Sequence, residues 1–459
     1  MRYRIESDAL GKVRVPYDAY YGSETARAIS NFNISGVKIY PEFIRSYAIL
    51  KKAAALANFS EGRLSISRCR AIAKACDEIC SGRLSDQFQV DIFQAGAGTS
   101  TNMNLNEVIA NRAIELLGGR KGDYSIVHPN DHVNMSQSTN DTFHAAMRIS
   151  AYIALKNDLL PALKALSGEL GSKSKSFMSI VKTGRTHLQD AVPIRLGQEF
   201  SGYRGLVEES ISSLKKSRDE LAALPLGGTA VGTGMGASPG YRKKVILELG
   251  KLTGVRFRAS AHLFADMQGE SGELELSNSI SEAAVSLGKI ANDIRLLGSG
   301  PRAGLGELLL PEVQPGSSIM PGKVNPSIAE MLNMVCFQAI GCGEAVKEAA
   351  SAGQLELNVF MPVMAFNLLF SIRILSNAVS TFARLCIKGI MPDTKRIKQN
   401  LESDLSIVTA LSRKIGYSAA ARIARKAYLN NMSIKAVCIA EGILSEKEAE
   451  RLLDPASMV

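Results

Sequence analysis

The chain has 459 residues, 46% of them apolar and 21% charged, enough to bury a core split among two or three domains and too apolar for a disordered protein. Its formal charge of +10 arises from basic residues scattered among acidic ones, without an arginine-rich run or interleaved aromatics. That argues against nucleic acid as a partner and for small polyanions.

The opening MRYRIESDALGKVRVP lacks the apolar centre of a signal peptide and is too acidic for a transit peptide. VFMPVMAFNLLF is broken by Pro362 and Asn367, so no uninterrupted apolar run reaches transmembrane length and no membrane partner is expected. The seven cysteines form no CxxC pair, and Cys76 and Cys80 merely share a helix face. Reduced structural thiols in a cytoplasmic protein are expected. The five histidines build no HxxEH or HExxH cluster, so no zinc site is expected.

Strand signals are sparse and helical periodicity dominates. AGAGTSTNMNLNE (95–107) places Thr99, Ser100 and Thr101 just before a helix predicted from about Asn106 and closed by Gly118 and Gly119. HPNDHVNMSQSTND (128–141) brings Ser138, Thr139 and Asn140 to the start of a helix reaching Phe177, with Pro161 as a kink or an interruption. TGRTHLQDAVPIRLGQEF (183–200) puts Thr186 and His187 in a polar loop ahead of a helix from Gly197 to Leu224. GGTAVGTGMG (227–236) has no predicted strand before it and lacks GxGxxG spacing, so it reads as a tight turn near the site and not a nucleotide loop. Long helices follow at 271–300, 329–350 and from about Pro362 to Ile387, and shorter ones after Pro392. Long helices apolar over much of their surface predict a bundle buried against other subunits, hence a homo-oligomer.

GSSIMPGKVNP (316–326) is irregular backbone, ending in Asn325 as an N-cap and Pro326 as the first residue of the next helix. The loop presents Ser317, Ser318 and Lys323 ahead of a helix N-terminus, which favours an anion. Taken singly, every one of these Ser, Thr and Asn residues is an ordinary cap. Four polar loops, three of them with adjacent hydroxyls where one would cap, point to a pocket for a small dicarboxylate.

These motifs resemble the aspartase/fumarase superfamily, whose signature GSSxMPxKxN is matched without departure at 316–325. The resemblance runs from RIESDALG through YYGSETARAISNFNISG to GYSAAARIARKAY in the tail. It implies a mostly α, three-domain lyase: an N-terminal domain 1–138, a central long-helix bundle 139–394 that assembles a tetrameric helical core, and a small helical C-terminal domain 395–459. DAYYG, FQAGAGTS, KGDY, AVPIRLGQEF, STND and SAGQLELNV resemble the aspartate ammonia-lyase branch. HPNDHVN resembles the class II fumarases, and both alternatives stay open. Phe143-His144 replaces the Phe-Pro or Tyr-Pro of both branches, and SRKIGY (412–417) departs from the usual Asn-Pro.

Both reactions would remove a proton beside one carboxylate and expel a group from the next carbon, giving fumarate. The carbanion survives as an aci-carboxylate with two negative charges on one carboxyl group, so preorganised donors are needed. The resemblance assigns that cradle to Thr99, Ser138, Thr139 and Ser318, and the other carboxylate to Lys323 and Asn325 with Thr186 and His187 nearby. It places Asn140 near the leaving group and makes Ser317 the base, activated by Lys323 and loop N–H groups. His128, Asn130 and Asp131 match a secondary anion site of fumarases. No metal or organic cofactor is implied, and each site would draw on three chains of a tetramer.

Overall fold

The structure, a computed structural model, describes residues 2–459. It is mostly helical, with four two-stranded sheets among the described residues, two of them only two residues long. The chain divides into two compact units: Met1–Leu160, Ser212–Glu282 and Gln338–Ile374 form the first, and Pro161–Ile211, Ala283–Phe337 and Leu375–Val459 the second.

The first unit is organised around the helix Pro41–Ser60, with proline where a missing N–H does no harm. Ala53, Ala54, Ala55 and Ala57 are buried, and their small size lets the helices Ile66–Cys80, Thr139–Ala154 and Tyr241–Thr253 pack against it. Phe43 meets Phe143 at 4.8 Å between ring centroids, with Tyr47 edge-on to both.

The helix predicted from Asn106 begins earlier, at Thr99, so Thr99, Ser100 and Thr101 form its first turn and do not precede it. Gln94 explains the earlier start: its Oε1 accepts from the Thr101 N–H at 2.9 Å and the Thr101 hydroxyl at 2.8 Å, supplying a cap from outside the helix. Gly98 precedes this helix in the left-handed region, φ +79°, and a Cβ there would lie 2.1 Å from Phe143 Cδ2. Gly98→Ala is therefore expected to lower the unfolding midpoint and turnover together, overpacking of this kind costing about 1–3 kcal/mol. Gly118→Ala is the control, left-handed at φ +85° with open space around it. Equal losses at both positions would refute the packing argument.

Pro161 sits in the first turn of Leu160–Ser176, directly after a π-type turn at Leu155–Leu159. The wide turn absorbs the missing N–H, so the helical stretch is adjusted there and not broken. A two-residue strand, Ala223–Leu224, pairs in parallel with Arg258–Ala259. It precedes GGTAVGTGMG, where none was expected, and is too short for period-2 patterning to reveal.

In the second unit, residues 405–453 gather a small core of their own around Leu411, Ile423, Val437 and Cys438. The short helices Tyr417–Leu429, Ile434–Ala440 and Glu446–Leu452 frame it, the last two opened by Ser433 and Ser445 caps. Val285, Met334 and Phe337, on Ser271–Leu297 and Ser327–Ser351, are more than half exposed.

The stretch Met361–Gly389 is, by length and composition, apolar enough to cross a membrane, against the expectation that Pro362 and Asn367 exclude it. Proline is tolerated in the first turn of Met361–Leu385, and Asn367 satisfies itself by donating to the Val363 carbonyl at 2.8 Å. With 61% of its most apolar window buried inside the protein, it is a core helix.

Candidate active site

In the first unit, two helix starts lie side by side. Asn102, in the first turns of Thr99–Leu116, donates Nδ2 to Thr139 Oγ1 at 2.8 Å. Tyr47 hydroxyl bridges Asn102 Oδ1 and Thr142 Oγ1, both at 2.8 Å. Asn134 Oδ1 collects Lys51 Nζ at 2.8 Å together with the amides of Asn102 and Asn106. This network fixes the Thr139 hydroxyl as an acceptor from behind, leaving its own O–H to donate forward.

Ser138 is the N-cap of Thr139–Ala154 and closes a capping box: its Oγ accepts from Asn140 N, and Asp141 Oδ1 accepts from Ser138 N at 2.9 Å. The ordinary capping role is thus real, and it also orients the hydroxyl. Asp141 Oδ2 accepts from Gly227 N at 2.9 Å and Thr229 N at 3.1 Å, so the glycine turn closes onto this helix start. Burial pushes the Asp141 carboxyl up to about 7 against those N–H bonds, and burial brings the wholly enclosed Lys51 down to about 7. Asn140 Nδ2 donates to the Ala230 carbonyl at 2.8 Å. Thr99 is exposed, its hydroxyl donating to the Gly96 carbonyl at 3.3 Å. Ala97 N donates to the Val359 carbonyl at 2.7 Å, so FQAGAGTS rests on the end of SAGQLELNV.

Thr186 and His187 do not lie in an irregular loop. They form the tip of an antiparallel hairpin, Val181–Thr186 with Gln189–Arg195, in which Thr186 pairs with Gln189. His187 and Leu188 make the two-residue turn, both left-handed at φ 55° and 59°. That turn normally takes Asn-Gly. A histidine followed by an exposed leucine there stores strain of about 1–3 kcal/mol per residue, a pattern concentrated at functional sites.

Below the tip, the wholly buried Glu307 holds the hairpin, meeting Arg185 at 2.7 Å, Lys182 at 3.1 Å and Asn400 at 3.0 Å. Burial alone would raise its carboxyl, but the Arg185 hydrogen bond and Lys182 charge hold it below the ordinary value. Its contribution to stability is therefore present above the unfolded pKa, about 4.3, and lost as pH falls through the lowered folded value. Glu307→Gln takes the carboxylate partner from Arg185 and leaves Lys182 with Glu199 alone, and about 3–5 kcal/mol of destabilisation is expected. Denaturation of both proteins at neutral pH tests this, and an unchanged midpoint would remove Glu307 as the anchor.

The 316–326 loop closes on itself. Gly316 N donates to the Lys323 carbonyl at 2.8 Å, and Asn325 Nδ2 donates to the Gly316 carbonyl at 2.8 Å. Asn325 is not the N-cap: Ala329 N and Glu330 N reach the Pro326 carbonyl, so the cap lies one residue later. The Asn325 side chain is engaged across the loop instead. Gly316 is required, since a Cβ would meet Asn325 N at 2.7 Å and Lys323 O at 2.8 Å. Ser317 Oγ accepts from Ile319 N at 3.2 Å and Met320 N at 3.0 Å. Ser318 and Lys323 are exposed.

Thr99, Ser138, Thr139 and Asn140 thus belong to the first unit, and Thr186, His187, Ser317, Ser318, Lys323 and Asn325 to the second. His128, Asn130 and Asp131 occupy a separate turn of the first unit, where His128 Nδ1 accepts from Asn130 N and Asp131 N. Sequence patterns missed Lys51, Asn102 and Asn134, an amine and two amides that satisfy one another across segments distant in the chain. Asp141 was legible as the fourth residue of an S-x-x-D box.

A family model described as Lyase matches residues 11–341, and one described as Fumarase C C-terminus matches 407–459. Aspartate ammonia-lyase of Bacillus subtilis is 48% identical over 456 residues, 99% of this chain and 96% of that protein. Fumarate hydratase class II of Neisseria meningitidis is 46% identical over 459 residues, 100% of this chain and 99% of that protein. The crystal structure of class II fumarase from Schistosoma mansoni superposes with a TM-score of 0.97 at 38% identity, covering 100% of this chain and 99% of that one. Since relatives of both activities align from end to end, and the signature loop, paired helix starts and hairpin tip all have their places in the fold, the chain belongs to the aspartase/fumarase superfamily of lyases.

Proposed function

We propose that the chain is an aspartate ammonia-lyase, eliminating ammonia from L-aspartate to give fumarate. The observation that carries this reading is the orientation of Asn140. Its Nδ2 is committed to the Ala230 carbonyl, and a reversed amide would set oxygen against oxygen. Oδ1 is therefore left as an acceptor at the position assigned to the leaving group, where an ammonium brings three donors.

In this reading Ser317 takes the proton, Thr99, Ser138, Thr139 and Ser318 cradle the aci-carboxylate, and Lys323 and Asn325 hold the other carboxylate beside Thr186 and His187. The two N–H groups on Ser317 Oγ are those of a local turn, and they also stabilise the alkoxide a serine base requires. The exposed Val285, Met334 and Phe337 support a homotetramer with four composite sites. In that assembly 1–138, 139–394 and 395–459 act as the three domains. The seven unpaired cysteines fit the cytoplasm. A second anion would meet the remaining ring nitrogen of His128 beside Asn130 and Asp131.

Class II fumarate hydratase is the second reading, favoured by HPNDHVN and by the 46% identical Neisseria enzyme. Fumarate absorbance is expected to rise with L-aspartate. A rise with L-malate and none with aspartate would overturn the first reading in favour of the second.

A further inference from the structure

We propose that His144, Glu270 and Glu273 form a buried three-ligand site for one divalent cation of the zinc class, inside the first unit. His144 lies one helical turn beyond Asn140, and Glu270 and Glu273 stand at the start of Ser271–Leu297. All three are buried, at 0%, 3% and 0% exposure. His144 Nε2 is 3.1 Å from Glu270 Oε2 and 3.1 Å from Glu273 Oε1, and the three donor atoms lie within 4.8 Å of one another.

One ring nitrogen offers one proton or one lone pair, so an imidazolium N–H satisfies only one of the two carboxylates. Glu273 Oε1 is the oxygen in hydrogen-bond geometry with Nε2. Neither oxygen of Glu270 has a hydrogen-bond partner, a costly condition for a buried carboxylate. A cation on the Nε2 lone pair faces all three side chains at once. Zinc bonds of about 2.0–2.2 Å are reached by small movements of the donors.

The charge count points the same way. Arg148 donates to Glu273, Nε to Oε1 at 2.7 Å, and its NH2 stands 3.5 Å from Asp266. One guanidinium against the carboxylates of Glu270, Glu273 and Asp266 leaves two negative charges. A divalent ion with neutral imidazole balances them, and a single proton does not. The Arg148 bond to Glu273 then acts as the outer hydrogen bond that metal-bound carboxylates usually carry. One buried imidazole and two carboxylates are a zinc-type set of three protein ligands, with a water as the fourth, whereas calcium and magnesium need six or more oxygens or retained waters. The three side chains are buried and the proposed elimination needs no metal, so the ion joins the helix carrying Asn140 to the start of Ser271–Leu297.

The full-length protein, stripped with a chelator and dialysed, is titrated with Zn2+ and with Co2+. Expected are one retained equivalent per chain, visible d–d bands of a low-symmetry Co2+ site, and a higher Tm with zinc. Glu270→Gln and His144→Gln each remove a ligand, so each is expected to lose the retained equivalent on dialysis and to abolish the Tm rise. Failure of the wild type to retain an ion overturns the site, as does a folded Glu270→Gln variant that keeps the full equivalent. If neither variant folds, X-ray absorption of the zinc-loaded wild type decides: one imidazole shell with oxygen neighbours is required, and sulfur ligands or no imidazole refute it.

Discussion

Ser317→Ala is expected to lower turnover by about 10²–10⁴-fold, the usual contribution of a positioned general base, while dicarboxylate binding stays close to wild type. The C–H beside a carboxylate is weakly acidic, so the base must have real alkoxide character. Two backbone N–H groups point at Ser317 Oγ, and Gly316 and Asn325 hold the loop that presents them. Alanine removes the oxygen and leaves the Gly316–Lys323 and Asn325–Gly316 hydrogen bonds in place, so the loop keeps its shape. Single-turnover kinetics with aspartate and with malate, alongside calorimetry with a non-reacting dicarboxylate, separate chemistry from binding. Turnover retained within a few-fold on both substrates would take the base role away from Ser317.

The second large effect is expected at a residue with no proposed contact to substrate. Asp141→Ala should cost about 2–6 kcal/mol, since it strands the buried N–H groups of Gly227 and Thr229 at about 1–3 kcal/mol each. The carboxylate is wholly buried and also receives the Ser138 N–H. Its loss unties the capping box that orients Ser138 and frees the glycine turn whose Ala230 carbonyl fixes Asn140. Stability and turnover therefore fall together. Asp141→Asn keeps one acceptor oxygen and should lose less of both. A midpoint for Asp141→Ala equal to wild type would mean that the turn and helix start are held by packing alone.

The hydroxyl-rich loops, the signature at 316–325 and the succession of long helices were legible in the chain itself. Caps, loop glycines and 3.6-residue periodicity are local properties, and the sequence encodes them locally. Even so, the helix at Thr99 was expected later, because Gln94 and the Gly98–Phe143 contact set its start. The hairpin that lifts His187 was hidden for a similar reason. Its turn is two left-handed residues with no Asn-Gly signal, and its base is held by Glu307, far away in the chain.

The superfamily, the mostly helical architecture and the residue types of the site follow from the sequence by itself. Tertiary structure alone decided which way the Asn140 amide faces, which N–H groups reach Ser317, and that His144 meets two glutamates at the start of another helix. Those are relations between segments distant in the chain. They are fixed by close packing and by the need to satisfy every buried polar group, and no local pattern carries them.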